Sequence, residues 1–441
     1  MLLYPISYQR NNQLKIIIRS FGCSIVFIIL QFYSCHRHTP ILPAEIAKDK
    51  IVLTGLDMLA ADNFQIFHDK NIGLVINQTS INHRGIHIID LLMDVDEVNI
   101  KRIFASEHGY KGTLQAGEHF DDSKDDENNI EIISLYGKSR KPTPSHMADL
   151  DAIIFDMQDV GSRYYTFVST LTYVMSSAAE NHIPVYILDR PNPINGITVQ
   201  GPLMAEQYSS IVGLHPIPIR HGMTIGEIGL MINNELWLDN NQKCQLEIIS
   251  MNYWDRSDYF NHTGLPWIPP SPNIPDDSTA LIYNGFCLME GTNVSEGRGT
   301  EFPFKIFGAP WINGNELAEK LTEKELPGVI FKGIQFTPVS MPGKSKWPKY
   351  EDEICSGCYL EITNYQTFDP LKSCISVLYA LHQLYPDNFK FLDSGFINNL
   401  YGSTILQESV QNNVAISDII HQWSIDNSNF FSTRQKYLLY P

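Results

Sequence analysis

The sequence predicts an α/β fold, with a mostly parallel sheet covered by helices on both faces and a smaller α/β domain after it. Three observations carry this. Apolar, strand-like runs alternate with segments of helical spacing between residues 50 and 263, as βαβ units do. Four of these strands end in polar clusters, which a parallel sheet would bring to one edge. A proline-rich stretch over 264–275, GLPWIPPSPNIP, then breaks the alternation, because proline suits neither a helix interior nor a central strand. Residues 276–441 therefore read as a second domain.

Taken in order, 55–68 has helical spacing, 72–76 is a short strand and 86–93 a helix. The β-branched run 98–104 is a strand and 152–157 another, with a helix over 164–181. Residues 184–188 form a strand and 224–236 a helix, with Thr224 as N-cap and Glu227 at the capping-box position. Residues 246–251 close the series as a strand. In the second domain, strands are expected near 329–339 and 359–363, and helices near 371–385 and in the last thirty residues.

The length of 441 residues and a 43% hydrophobic content suit two or three domains with real cores. A net charge of −17 argues against nucleic acid as a partner, since phosphate binding needs a basic face. The first 35 residues carry Arg10, Lys15 and Arg19 and no acid, followed by an apolar run ending in Ser34-Cys35. This is a leader pattern. It is read as lipid attachment at Cys35, with an uncleaved anchor or a plain signal peptide as alternatives, and 36–49 as a linker. The expected location is the cell envelope, facing the periplasm. Cys355 and Cys358 have redox or zinc spacing but no second pair, so a local disulfide or two free thiols is expected, and neither metal nor cofactor.

The chemistry concentrates at the strand exits. After 98–104 come Ser106-Glu107-His108-Gly109, then Lys111, Gly112, Gly117 and Glu118. An acid and an imidazole side by side at a strand exit make Glu107 and His108 the first catalytic candidates. Glu118 is a second carboxylate or a solvated acid. After 152–157, Asp159 and Arg163 form either a local ion pair or a substrate contact. Tyr164 and Tyr165 beside that guanidinium would suit a sugar bearing a carboxylate. After 184–188 come Asp189, Arg190 and Asn192, as turn-formers or ligands. Arg220-His221 precedes a helix N-terminus, a natural anion site. Glu290, Glu296 and Arg298 share a glycine-rich loop. Asn77, Asn192, Asn273 and Asn293 offer amides to hydroxyls. There is no phosphate-binding loop, no dinucleotide fingerprint, no H-E-x-x-H and no nucleophile elbow. Carboxylates, aromatics, amides and arginines in loops fit a glycoside hydrolase.

Eight ordered segments, NQTSINHRG, SEHGYKGTLQAGE, SLYGKSRKPT, DMQDVGSRYYT, LDRPNPING, PIRHGMTIGE, LPWIPPSPN and EGTNVSEGRGTEFPF, resemble the DUF1343 family across roughly 50–441. Its characterised members are NamZ-type exo-β-N-acetylmuramidases of glycoside hydrolase family 171. The resemblance implies release of N-acetylmuramic acid (MurNAc) from the non-reducing end of peptidoglycan fragments of the MurNAc-GlcNAc type. It also implies a Rossmann-like first domain and an active site in the cleft between domains. The family's proposed catalytic Glu falls on Glu107. The family form Ser-Pro-Glu-His-Gly is here Ala105-Ser106-Glu107-His108-Gly109, without the proline, and Lys111 stands where Arg is common. The lactyl carboxylate of MurNAc calls for a cation, from Arg163, Arg190, Arg220, Arg298 or Lys111. The partner of Glu107 stays open between Glu290, Glu296, Asp159 and the substrate's acetamide. A non-catalytic binder of wall fragments and an amidase are the competing readings.

Overall fold

The computed structural model describes residues 51–441 except 116, 126 and 127. The leader, with Cys23 and Cys35, and the linker over 36–49 lie outside the described residues. The first half runs α1 (Gly55–Ala61), β1 (Lys70–Ile76), α2 (Ile88–Met93), β2 (Val98–Ala105), β3 (Ser123–Asp125), β4 (Ile130–Ser134), α3 (Pro144–Met147), β5 (Ala152–Asp156), α4 (Phe167–Glu180), β6 (Val185–Leu188), β7 (Gln200–Leu203), β8 (Pro218–Arg220), α5 (Ile225–Asn234) and β9 (Leu246–Ile249). The second half runs α6 (Asp277–Phe286), β10 (Ile306–Ala309), α7 (Gly314–Thr322), β11 (Val329–Phe336), β12 (Cys355–Ile362), α8 (Pro370–Leu384), α9 (Phe396–Tyr401), α10 (Ile405–Gln411) and α11 (Ile416–Arg434).

The seven-stranded sheet has the order β3-β4-β2-β1-β5-β6-β9. Every pairing is parallel except β3 with β4. Alternation along β1 explains the helices on both faces. Leu74 and Ile76 belong to one apolar cluster with Leu56 and Leu59 of α1 and Ile88 and Leu92 of α2. Val75 faces the other way, into the cluster that holds Phe167 and Leu171 of α4 and Ile228 of α5. Period-two side-chain geometry thus divides one strand between two cores. Thr224 does cap α5, with Glu227 returning to the Thr224 N–H at 3.0 Å.

The second half carries an antiparallel sheet, β10-β12-β11. Its core is continuous with that of the first half: Val75, Tyr164, Tyr283, Phe307 and Leu378 share one cluster. The proline-rich segment separates the two sheets but not the cores. The helix expected from 164 begins at Phe167, because Tyr164–Thr166 is drawn into a turn tied to β8 by the Arg163 N–H on Ile219 O at 2.8 Å. Cys355 and Cys358 are buried free thiols on β12. Three residues apart on an extended strand, they sit too far from each other to bridge.

Candidate active site

At the carboxyl end of β2 the chain leaves the sheet through Ser106, Glu107 and His108. His108 has φ +72°, a left-handed backbone that a histidine adopts at a cost and that recurs at functional sites. The loop is held down by Gly112, whose added Cβ would lie 2.1 Å from the Gln78 amide. That amide donates to Pro269 O at 2.7 Å, joining the loops after β1 and β2 to the proline-rich segment.

Glu107 faces a cleft of about 760 Å3. The Gly117 N–H donates to its Oε1 at 3.0 Å and the Thr166 hydroxyl to its Oε2 at 3.0 Å, so both oxygens are fixed by different loops. Tyr136 also hydrogen-bonds to it; burial and the neighbouring Glu107 raise the Tyr136 phenol, which stays protonated. His108 is 4% exposed. Burial lowers its pKa, against the pull of Glu107, and Arg298 lowers it further. Its Nδ1 lies 2.8 Å from Leu114 O. A carbonyl accepts, so the neutral ring carries its proton on Nδ1 and Nε2 is left as the acceptor.

The opposite wall comes from the loop after α6. Arg298 stands between two acids, 2.8 Å from Glu290 Oε1 and 3.5 Å from Glu296 Oε1. Lys349 holds Glu296 Oε2 at 3.0 Å. Burial alone would raise the Glu296 carboxyl, but Lys349 and Arg298 outweigh it and keep it below the usual carboxylate range. Burial opposes the Arg298 charge, and Glu290 with Glu296 more than restores it. Glu296 is the more tightly held, with a side chain 6% exposed against 22% for Glu290. Tyr164, Tyr165, Tyr283 and Phe304 supply an aromatic floor, with Tyr283 and Phe304 edge-to-face at 5.0 Å.

Of the residues expected from sequence, the structure brings Glu107, His108, Glu118, Tyr164, Tyr165, Asn273, Glu290, Glu296 and Arg298 to this cleft. The others lie away from it. Arg163 is buried, and its guanidinium donates to the carbonyls of Pro202, Ile217, Leu400 and Tyr401 at 2.8–2.9 Å. It pins β7 and the residue before β8 to the last turn of α9 instead of meeting a carboxylate. Arg190 clamps Asp156 with 2.5 and 2.8 Å bonds. Arg220 is buried on Gln200 and Ile194. Lys111 is 61% exposed and lies 3.9 Å from Asp125. Asp189 caps α5, accepting from Gly226 N, Thr224 and Tyr440; burial pushes it up to about 6. Asn77 accepts from Thr79, Asn192 bridges Met223 and Ile194, and Asn293 fastens to Asn388 and Lys390. Asp159 is buried, its Oδ2 taking the Gly161 N–H at 2.7 Å, and burial raises it to about 7. His221 Nε2 stands 4.0 Å from it. Burial holds His221 down at about 3, so this is a contact with a neutral ring and not an ion pair.

Gln115, Tyr136, Thr166, Lys344, Lys346, Trp347 and Lys349 also line the cleft and were not singled out from sequence. The signal for four of them was present: KSKWPK, three lysines around a tryptophan, in a chain of net charge −17.

Two family models cover nearly all of the described chain. One, described as exo-beta-N-acetylmuramidase NamZ, N-terminal, matches residues 72–278, and its C-terminal counterpart matches 281–440. The chain is 38% identical over 394 residues to the peptidoglycan beta-N-acetylmuramidase NamZ of Bacillus subtilis (strain 168), covering 89% of this chain and 92% of that protein. Crystal structures of two DUF1343 family proteins from Bacteroides fragilis NCTC 9343 superpose with TM-scores of 0.81 and 0.72, each at 31% identity, covering 88% and 89% of this chain and 99% of theirs. The cleft lies where the two matched regions meet, and by these matches the chain belongs to the NamZ exo-β-N-acetylmuramidase family, formerly known as DUF1343.

Proposed function

We propose that this chain is an exo-acting glycoside hydrolase that releases MurNAc from the non-reducing end of peptidoglycan fragments of the MurNAc-GlcNAc type, with Glu107 as general acid. The observation that carries the reading is the Glu107 carboxyl group on the cleft wall, fixed by Gly117 and Thr166 and faced by the Glu290–Arg298–Glu296 cluster. Glycosidic cleavage needs a carboxylic acid to protonate the leaving oxygen and a negative group for the oxocarbenium-like charge that grows on the sugar. Glu107 gives its proton to the bridging oxygen as the C1–O bond breaks. Glu290, the more accessible of the two opposing acids, stabilises the developing cation or orients the acetamide or water that attacks C1. Arg298 is the cation for the lactyl carboxylate, and Tyr164 and Tyr165 back the sugar ring.

Mass spectrometry of digested muropeptides tests the reaction class. Loss of a terminal MurNAc is expected. Loss of peptide would instead indicate an amidase, and saturable binding with no product a non-catalytic binder. From the leader pattern we also propose a periplasm-facing lipoprotein of the cell envelope, attached through Cys35. Cys35→Ala is expected to abolish labelling by radioactive palmitate and release the protein from membranes. Membrane retention without label would point to the apolar segment as an anchor.

A further inference from the structure

One wall of the cleft is a strap, residues 337–354, that connects β11 to β12 and reaches across to the first half. Its backbone is fastened at several points. The Lys346 N–H donates to Gln115 Oε1 at 3.0 Å, on the loop that follows Glu107. Asn273 Nδ2 donates to Lys344 O at 2.9 Å. Val339 N–H donates to Gly299 O at 2.9 Å. Lys349 turns inward, onto Met289 O, Val294 O and Glu296. Both Gln115 and Asn273 are under 10% exposed, so these anchors are buried. Between them Trp347 is left 74% exposed, the most exposed large apolar side chain among those described. The Lys346 ammonium sits 4.7 Å from its ring centroid. A tied-down backbone presenting an exposed indole and a cation at a cleft is a built surface.

The floor of the cleft is buried, with Tyr164 at 1%, Tyr165 at 7% and Glu296 at 5% exposure, and the exposed Lys346 and Trp347 of the strap stand at the mouth. An exo-acting enzyme takes the terminal sugar into the closed end, so the rest of the glycan leaves past the mouth. We propose that Trp347 and Lys346 form a leaving-side subsite. Trp347 stacks on the face of the GlcNAc that is released, and Lys346 pairs with a carboxylate borne by the next muramyl unit. This rests on the exo-muramidase reading above. The indole offers an apolar face matching the C–H face of a pyranose, and the ammonium fits a carboxylate at the ring's edge.

The test compares the full-length enzyme with Trp347→Ala, Trp347→Tyr and Lys346→Ala. The substrates are β-N-acetylmuramyl fluoride, MurNAc-GlcNAc, and the tetrasaccharide made of two such units, with and without stem peptides. The fluoride leaves as a single ion and fills no leaving-side subsite. Trp347→Ala is expected to raise KM for the disaccharide about tenfold, within the range of one aromatic contact. Its kcat, and its turnover of the fluoride, should stay within about twofold of wild type, and Trp347→Tyr should recover most of the loss. Lys346→Ala is expected to spare the disaccharide and weaken the tetrasaccharide about fivefold. An effect on the peptide-free tetrasaccharide assigns the carboxylate to the lactyl group; an effect confined to the peptide-bearing one assigns it to the stem. Equal losses on fluoride and disaccharide, or no change on any substrate, would overturn the subsite. A wild-type enzyme inert towards both fluoride and disaccharide would refute the muramidase reading itself, a separate outcome.

Discussion

The loop after β2 and the loops after β5 and β6 look alike as sequence: each sets an acid and a base a few residues beyond an apolar strand. In the folded chain they differ completely. Glu107 and His108 open onto a cleft, whereas Asp156 at the end of β5, and Asp189 and Arg190 beyond β6, are sealed, each hydrogen-bonded to partners within about 3 Å. The difference is made by distant chain. Leu400 and Tyr401 carbonyls cover Arg163, and Tyr440 covers Asp189. Residue type at a strand exit therefore marks where a site is allowed, and what the second half lays over each exit decides where it is.

The two regions should respond oppositely to substitution, and the largest expected effect is at the open one. Glu107→Gln keeps the Gly117 hydrogen bond and lets the Thr166 hydroxyl accept from the new amide, but removes the proton donor; kcat/KM for MurNAc-GlcNAc should fall by about a thousandfold or more, in the range of general-acid loss. In the sealed region Arg190→Met leaves Asp156 as a buried unpaired carboxylate, with destabilisation of about 3–5 kcal/mol in urea melts. Adding Asp156→Leu should return much of it, because the charge left alone is what costs. A single variant as stable as wild type would show that the pair is not sealed.

Asp159 sharpens the comparison through pH. Burial raises its folded pKa to about 7, above its usual value of 3.8. The folded state therefore holds the proton more tightly, and the stability this gives is present at low pH and lost as pH rises from about 4 to about 7. Asp159→Asn cannot lose it. The variant should be more stable than wild type at pH 8, by on the order of 4 kcal/mol, and converge with it near pH 4. The smallest effect is expected at Lys111, whose side chain is 61% exposed. Lys111→Ala should change stability by less than about 1 kcal/mol and leave kcat/KM within about twofold; a tenfold rise in KM would place Lys111 on the substrate.

The βα alternation was legible because apolar runs of four to eight residues separated by capped helices have few other solutions. Glu107 was legible for the same reason, standing directly after such a run. The short strands β7, β8 and β10 were not, since each contains glycine or proline and is defined by a partner elsewhere in the chain. The roles of Arg163, Arg190 and Arg220 were hidden for a related reason. A guanidinium that binds carboxylates equally binds a ring of carbonyls, and the Arg163 carbonyls lie up to 238 residues away. Trp347 stood in plain view as a tryptophan among lysines. It lies on an irregular connection, so no periodicity pointed to it.

Chemistry belongs to the open exit and stability to the sealed ones. Measuring MurNAc release per folded molecule for Glu107→Gln and Arg190→Met in one experiment, each with its urea midpoint, separates the two. Glu107→Gln should keep the wild-type midpoint and lose turnover by orders of magnitude, while Arg190→Met should lose stability and keep turnover per folded molecule within a few-fold. Near-normal turnover by folded Glu107→Gln, or wild-type stability with lost turnover in Arg190→Met, would contradict that division.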